Sequence, residues 1–397
     1  MRIFLFLIII CSHAPLLFSQ AGVQSYGSIT TGAQQTELYL PKLKNKNVAI
    51  VTNASGIIGN RHLVDTLLKH KVKIVKIFGP EHGFRGTADA GEKVKGGKDA
   101  LTNITIISLY GSHKKPTKED LKGVDVVIYD IQDVGVRFYT YISTMTYVME
   151  ACAENNKELM IFDRPNPNGF YIDGPVMTDK YKSFLGLHNI PIVYAMTCGE
   201  YAQMVNGEGW LKNKVKCNLT VIPLKNYDRT KFISGLPVKP SPNLPNDTAV
   251  LLYPSLGLFE GTMVSLGRGT DSPFQFVGNP YADQSTFSFT FTPRSTAITK
   301  KPKYQDTICY GKDMRVYYDY ILKNKQIDLT NLNMFYHNSL NKQQIFFDNN
   351  FNYHAGNEEL KQQTILSISP MEIRESWKAD IYEFKKIRQK YLIYKDL

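Results

Sequence analysis

From residue 47 onward, short apolar runs alternate along the chain with stretches of helical spacing. Val48–Thr52, Val72–Phe78, Ile104–Leu109, Val124–Tyr129 and Leu159–Phe162 are rich in β-branched residues and too short for helices. Such runs read as strands. Their near-continuous apolar character, rather than strict alternation, predicts burial on both faces. Between them, His62–His70 carries Leu63, Leu67 and Leu68 at helical spacing, and residues 140–156 read as a second helix. Thr197-Cys-Gly-Glu200 has the form of a capping box, opening a helix expected to run to about Trp210. Strands and helices in this order predict an α/β fold built on a mostly parallel sheet.

The pattern changes near residues 236–247, LPVKPSPNLPND, where four prolines in twelve positions exclude both a helix and a central strand. We take this segment as the passage between an N-terminal domain, residues 21–245, and a C-terminal domain, residues 246–397. Beyond it the alternation is less regular and Phe, Tyr, Asn and Lys are more frequent. An α+β arrangement with an antiparallel sheet is expected there, closed by an amphipathic helix from about Ser376 to Tyr391. The first twenty residues stand apart. Met1-Arg2, the apolar run Ile3–Ile10 and a small-residue exit at Ser19-Gln20-Ala21 describe a secretory signal peptide. Export to the periplasm or the medium is therefore expected. Cys11 follows Ile10, whereas lipoprotein cleavage wants a small residue there, so lipid anchoring is the lesser reading. No later run reaches about eighteen apolar residues, so no stable membrane insertion is expected.

Composition changes this picture little. The chain has 397 residues, 43% hydrophobic and 21% charged, which are globular values. Its formal charge of +11 would suit an anionic partner, but the Lys and Arg residues are scattered and no zinc-finger or RNA-binding signature is present. Nucleic acid is not an expected partner. Beyond Cys11, the cysteines are Cys152, Cys198, Cys217 and Cys309. They read as small buried hydrophobes, with a Cys198–Cys217 bridge as the alternative. No metal-ligand spacing, Walker loop, GxSxG elbow or HExxH occurs, and no GxGxxG follows the first strand. Neither a metal nor an organic cofactor is expected.

The chemistry concentrates in the loops after the strands. Phe78-Gly-Pro-Glu-His-Gly-Phe-Arg-Gly86 places Glu81, His82 and Arg85 past the carboxyl end of a strand, where open α/β sheets bind ligands. A loop this rich in glycine and ionisable groups is expensive to order. Glu81 is the first candidate for a general acid and His82 for orienting it or binding substrate, against a reading in which Glu81 caps the turn and His82 packs. Asp130-Ile-Gln-Asp133-Val-Gly-Val-Arg137-Phe-Tyr139 offers a second carboxylate, Asp133 ahead of Asp130. Arg137 offers a fork for an anion, with an Asp–Arg pair that shapes the loop as the competitor. In Asp163-Arg-Pro-Asn166-Pro-Asn168-Gly169 the prolines restrict the backbone and present Asn166 and Asn168 to a polyhydroxylated ligand. Glu260 and Arg268 are candidate contacts from the second domain, or else each other's salt-bridge partner.

At these positions the chain resembles the NamZ-type exo-β-N-acetylmuramidase family, exported bacterial enzymes of peptidoglycan turnover. The resemblance rests on GPEHGFRG (79–86), YDIQDVGVRFYTY (129–141), FDRPNPNG (162–169), MTCGEYAQMVNGEGWL (196–211), PSPNLP (240–245) and LFEGTMVSLGRGTDSPF (258–274). It implies a Rossmann-like N-terminal domain, a smaller C-terminal α/β domain and an active-site cleft between them. It also implies release of N-acetylmuramic acid from the non-reducing end of peptidoglycan fragments. The family's proposed catalytic glutamate falls on Glu81. Leu266 departs from the pattern, standing where some relatives carry an acid. On this reading Glu81 protonates the glycosidic oxygen and Asp133, before Asp130 or Glu260, is the second acid. Arg85, Arg137 or Arg268 would hold the lactyl carboxylate, and His82, Tyr139, Asn166 and Asn168 would contact the sugar. A non-catalytic wall-glycan receptor and an amidase or esterase are the competing classes.

Overall fold

Five strands that the apolar runs predict lie side by side, and two more extend the sheet. The computed structural model describes residues 22–85, 96–340 and 345–397; the leader at 1–20 with its Cys11, and Gly86, lie outside these. Across the seven-stranded sheet the order is Asn218–Ile222, Glu158–Phe162, Val126–Asp130, Asn47–Thr52, Lys73–Gly79, Thr105–Ser108, Gly97–Lys98. Every neighbouring pair is parallel except the last, which is antiparallel. The run Asn218-Leu-Thr-Val-Ile222 was not legible as a strand because its alternation is short and half polar. The expected strand at 72–78 is displaced by one residue, to Lys73–Gly79.

The period of two along each strand sorts side chains onto two faces. Val48, Ile50, Ile77, Val126, Ile128 and Met160 pack with Leu63, Val64 and Leu67 of the helix Leu63–Lys69. Ala49, Val51, Phe78, Tyr129, Leu159 and Ile161 pack on the other side with Met145 and Val148 of the helix Tyr141–Glu154 and Met204 of the helix Cys198–Gly207. Covered on both sides, the central strands have no solvent face, which is why they read as unbroken apolar runs. Thr197 caps its helix as expected, accepting from the Glu200 amide while the Glu200 carboxylate accepts from the Thr197 amide. That helix ends at Gly207, short of Trp210.

After the proline-rich segment the helix Asp247–Leu256 begins, capped by Asn246. A three-stranded antiparallel sheet follows, with Cys309–Asp313 between Phe276–Asn279 and Phe289–Phe291. The closing helix spans Pro370–Gln389, six residues earlier than Ser376, because Ser369 and Glu372 form a capping box and Pro370 takes the first helical position. One continuous apolar core joins Tyr129 of the sheet and Met145 of the helix Tyr141–Glu154 to Leu251, Phe335, Trp377 and Phe384. The two halves therefore share packing, and their meeting line is a fixed surface. Among the described residues no helix is long and apolar enough to cross a membrane. All four described cysteines are free and buried, so the alternative bridge between Cys198 and Cys217 does not form.

Candidate active site

The strand Asn47–Thr52 lies between Val126–Asp130 and Lys73–Gly79, so the chain reverses its direction of travel across the sheet at this point. Loops leaving the carboxyl ends of strands at such a reversal open a crevice. The loop after Lys73–Gly79 bends sharply, with Gly83 donating its amide to Pro80 O at 2.9 Å. His82 and Gly83 both take left-handed backbone conformations, φ +69° and +76°. A histidine in that region is strained, and the bend it makes presents Glu81 at the rim. Glu81 Oε2 accepts from Thr140 Oγ1 at 3.3 Å, and the Tyr141 hydroxyl donates to Glu81 O at 3.4 Å. Both partners stand at the start of the helix Tyr141–Glu154.

A cavity of about 200 Å³ opens here, and both halves of the chain line it. Glu81, His82, Tyr139, Thr140 and Tyr141 come from the sheet's loops, Ser241 and Asn243 from the proline-rich segment. Tyr253, Glu260, Arg268, Phe274 and His354 come from the C-terminal half. It is smaller than the roughly 300–1,000 Å³ of drug-sized sites, a fit for a single sugar ring. A hollow of about 570 Å³ lies at the other end of the sheet, beside Lys44, Lys46, Lys71 and Lys73, but no carboxylate lines it.

Within the cavity Glu260 and Arg268 form an ion pair at 2.6 Å. Burial pushes the Glu260 carboxyl up, but the Arg268 charge and hydrogen bond outweigh it and hold the group below its ordinary value, with the Lys303 charge adding to the effect. Glu260 is thus kept ionised. Arg268 also lies over the Phe274 ring, 4.9 Å from its centroid. The Tyr139 hydroxyl donates to Pro240 O at 2.6 Å, fixing the proline-rich segment against the sheet, while His82 Nε2 lies 3.4 Å from Ser241 Oγ. Tyr253 stacks edge-on against Phe138, Tyr139 and Phe274, forming the apolar wall.

Six of the residues singled out by sequence are elsewhere. Asp130 is fully buried and forms a two-pronged pair with Arg164, at 2.6 and 2.9 Å. It shapes the loop and cannot meet a sugar. Asp133 lies outside the cavity's lining, accepting from the Gly135 amide at 2.7 Å and the Tyr194 hydroxyl at 2.5 Å. Burial raises its carboxyl to about 6 despite those hydrogen bonds. The second acid in the cavity is Glu260, where the sequence put Asp133 first. Arg85 is taken by Asp99 through two bonds of 2.9 Å. Arg137 is wholly buried and grips backbone carbonyls. Asn166 donates to Met196 O, and Asn168 to Val134 O and Val250 O, so both amides hold loops together and present nothing to a ligand. Gly135, at φ +74°, passes so close that a Cβ there would sit 2.0 Å from Asn166 Oδ1.

Tyr253 and His354 were not legible in advance. Each is one ring in a region dense with Phe, Tyr and Asn, and no spacing marks it out. Thr140 and Tyr141 lie inside the motif at 129–141, but their role depends on where the next loop falls.

The family model described as Exo-beta-N-acetylmuramidase NamZ, N-terminal, matches residues 48–248, and its C-terminal counterpart matches residues 251–394. The chain is 37% identical over 371 residues to Peptidoglycan beta-N-acetylmuramidase NamZ of Bacillus subtilis (strain 168), covering 90% of this chain and 89% of that one. It belongs to the NamZ family. Two DUF1343 family proteins of Bacteroides fragilis NCTC 9343 have similar structures. One is 45% identical with a TM-score of 0.86, the other 29% identical with a TM-score of 0.77, and each match covers 93% of this chain and 99% of the other. Leu266 is buried in the shared core and does not line the cavity.

Proposed function

We propose that this NamZ-family chain is an exo-acting β-N-acetylmuramidase, a glycosidase in which Glu81 is the proton donor and Glu260 the second carboxylate. The observation that carries the assignment is the meeting of these two acids in one sugar-sized cavity, with Glu260 locked in an ion pair with Arg268. Glycosidases use two carboxyl groups in unequal states, one to protonate the leaving oxygen and one to act ionised on the anomeric side. Arg268 supplies the asymmetry by holding Glu260 charged. Among the described residues the Glu81 carboxyl touches one hydroxyl, which leaves it free to reach the glycosidic oxygen. The apolar wall of Phe138, Tyr253 and Phe274 suits a sugar face.

The substrate on this reading is a peptidoglycan fragment with N-acetylmuramic acid at its non-reducing end. Of the three arginines considered for the lactyl carboxylate, only Arg268 lines the cavity. One of its N–H groups is engaged by Glu260, and a guanidinium has five to offer. Residues 1–20 would export the enzyme to the compartment where such fragments arise, and the N-terminus of the secreted protein, read by mass spectrometry, checks that step.

Glu81→Gln keeps the shape and removes the proton. Turnover of a chromogenic N-acetylmuramic acid glycoside should fall by about 10²–10⁴-fold with KM little changed. Undiminished turnover would remove Glu81 from the mechanism. Absence of turnover in the native protein would favour a receptor, and release of peptide or acyl groups in place of sugar an amidase or esterase.

A further inference from the structure

Arg137 is a fully buried cation with no carboxylate on it among the described residues. Its Nη1 donates to Pro175 O and Ile190 O, both at 2.8 Å, in the N-terminal half. Its Nη2 donates to His354 O at 2.9 Å and Ala355 O at 2.7 Å, in the C-terminal half. Burial pulls its proton affinity down to about 9. A charge carried into the interior and answered only by carbonyls is expensive, so mere adhesion between the halves is a poor explanation for it. The carbonyls it reaches on one side are the last two of the helix Phe351–Ala355, which has no further turn to accept from. A cation at a helix C-terminus is favoured by the aligned peptide dipoles. The next residue, Gly356, turns left-handed at φ +90°, and a Cβ there would lie 2.4 Å from Arg137 Nη2. Gly356 O is held in turn by the Thr178 amide at 2.8 Å.

This clamp ends on the residue whose imidazole lines the cavity. His354 Nδ1 is 3.1 Å from Asn350 O. A carbonyl only accepts, so Nδ1 carries the proton and Nε2 is left as an acceptor. Burial lowers the affinity of the ring for a second proton; the charge of Arg137 acts in the same direction, while Glu260 and Asp348 oppose it. The Phe138 ring, next to Arg137 in the chain, packs against His354 with centroids 5.6 Å apart.

We propose that His354 contacts the bound sugar as a neutral hydrogen-bond acceptor and that Arg137 is its positioning residue, reaching across from the other half of the molecule. The proposal rests on the glycosidase reading for the identity of the ligand, and on the clamp geometry for the pairing. A fixed acceptor at Nε2 selects a hydroxyl or an amide N–H of the ring in the cavity, and it rejects a carboxylate at that position. Arg137 decides whether the acceptor points there.

Two measurements test this. Histidine side-chain ¹⁵N NMR of the substrate-free native protein at pH 7 should show one ring, lost in His354→Gln, as a neutral species protonated on Nδ1. In Arg137→Lys the same ring should average between tautomers. A charged ring or an Nε2-protonated ring in the native protein would overturn the proposal whatever the substrate is. In turnover of the muramic acid glycoside, Arg137→Lys and His354→Gln should each reduce kcat/KM by about 10–100-fold, the scale of a misplaced contact. The double variant should be within about twofold of His354→Gln alone. Losses that multiply would reduce Arg137 to a structural tie, as would native kcat/KM in folded Arg137→Lys. If Arg137→Lys fails to fold, the NMR result on the native protein decides the His354 half of the proposal. Gly356→Ala, which intrudes on the guanidinium while retaining its charge, then carries the cycle.

Discussion

Asp133 and Glu260 are both acids near the same crevice, and their neighbours drive them apart. Glu260 has a guanidinium at 2.6 Å and stays ionised. Asp133 has a hydroxyl and backbone amides but no cation, and burial lifts it to about 6 from 3.8. Between those two pH values the folded chain holds a proton that the unfolded chain has lost. The contribution of Asp133 to stability is therefore fully present below about pH 4 and fades as the pH rises through 6. Asp133→Asn should lose less stability from pH 4 to pH 7 than the native protein, by at most about 3 kcal/mol. Urea unfolding at the two pH values measures this, and a native protein with the same slope as the variant would contradict it. Glu260→Gln should cut kcat by at least about 10²-fold with only a small change in the unfolding midpoint, since that pair is partly open to solvent. Their places in the sequence put Asp133 ahead of Glu260. What separated them was the partner, which a linear chain does not specify.

At the scale of elements, the loops following the strands hold their shape by pairing with each other. Arg164 ties Asp130, the Tyr26 hydroxyl at 2.9 Å and Ile57 O at 3.1 Å, so one guanidinium joins three segments. Arg164→Met leaves a buried carboxylate without its cation and should cost about 3–5 kcal/mol. It should do so with kcat of the folded fraction changed far less than in Glu81→Gln. Denaturation and turnover measured together separate these outcomes. The same economy of contacts explains the misreading of Asn166 and Asn168. Prolines beside amides predict a rigid platform for a ligand, and the loop is indeed rigid. It is rigid because the amides are spent on Met196, Val134 and Val250, a use invisible until the helix Asp247–Leu256 comes to rest against the sheet. Thr197 and Glu200, by contrast, were legible because a capping box is local, with donor and acceptor three residues apart.

Across the whole molecule, one apolar core runs from the parallel sheet into the C-terminal helices, and the cavity sits where the two halves meet. A cleft built on shared packing is preformed, which suits capture of a single sugar unit at a chain end. Its stability owes nothing to a covalent link among the described cysteines, all of which are free and buried. The thermal unfolding midpoint should be the same with and without reductant. A drop of several degrees on reduction would reveal a bridge, since removing a native disulfide costs about 2–5 kcal/mol.

The order of strands and helices, the capping box and the glutamate at the first bend were set by the sequence alone, because each depends on neighbours within a few residues or on a period of two or 3.6. Which arginine faces substrate, which acid shares the cavity with Glu81, and that His354 belongs there at all were decided only in three dimensions. A side chain's charge state and direction follow from what lies against it, and here those groups come from residues up to 218 positions away in the chain.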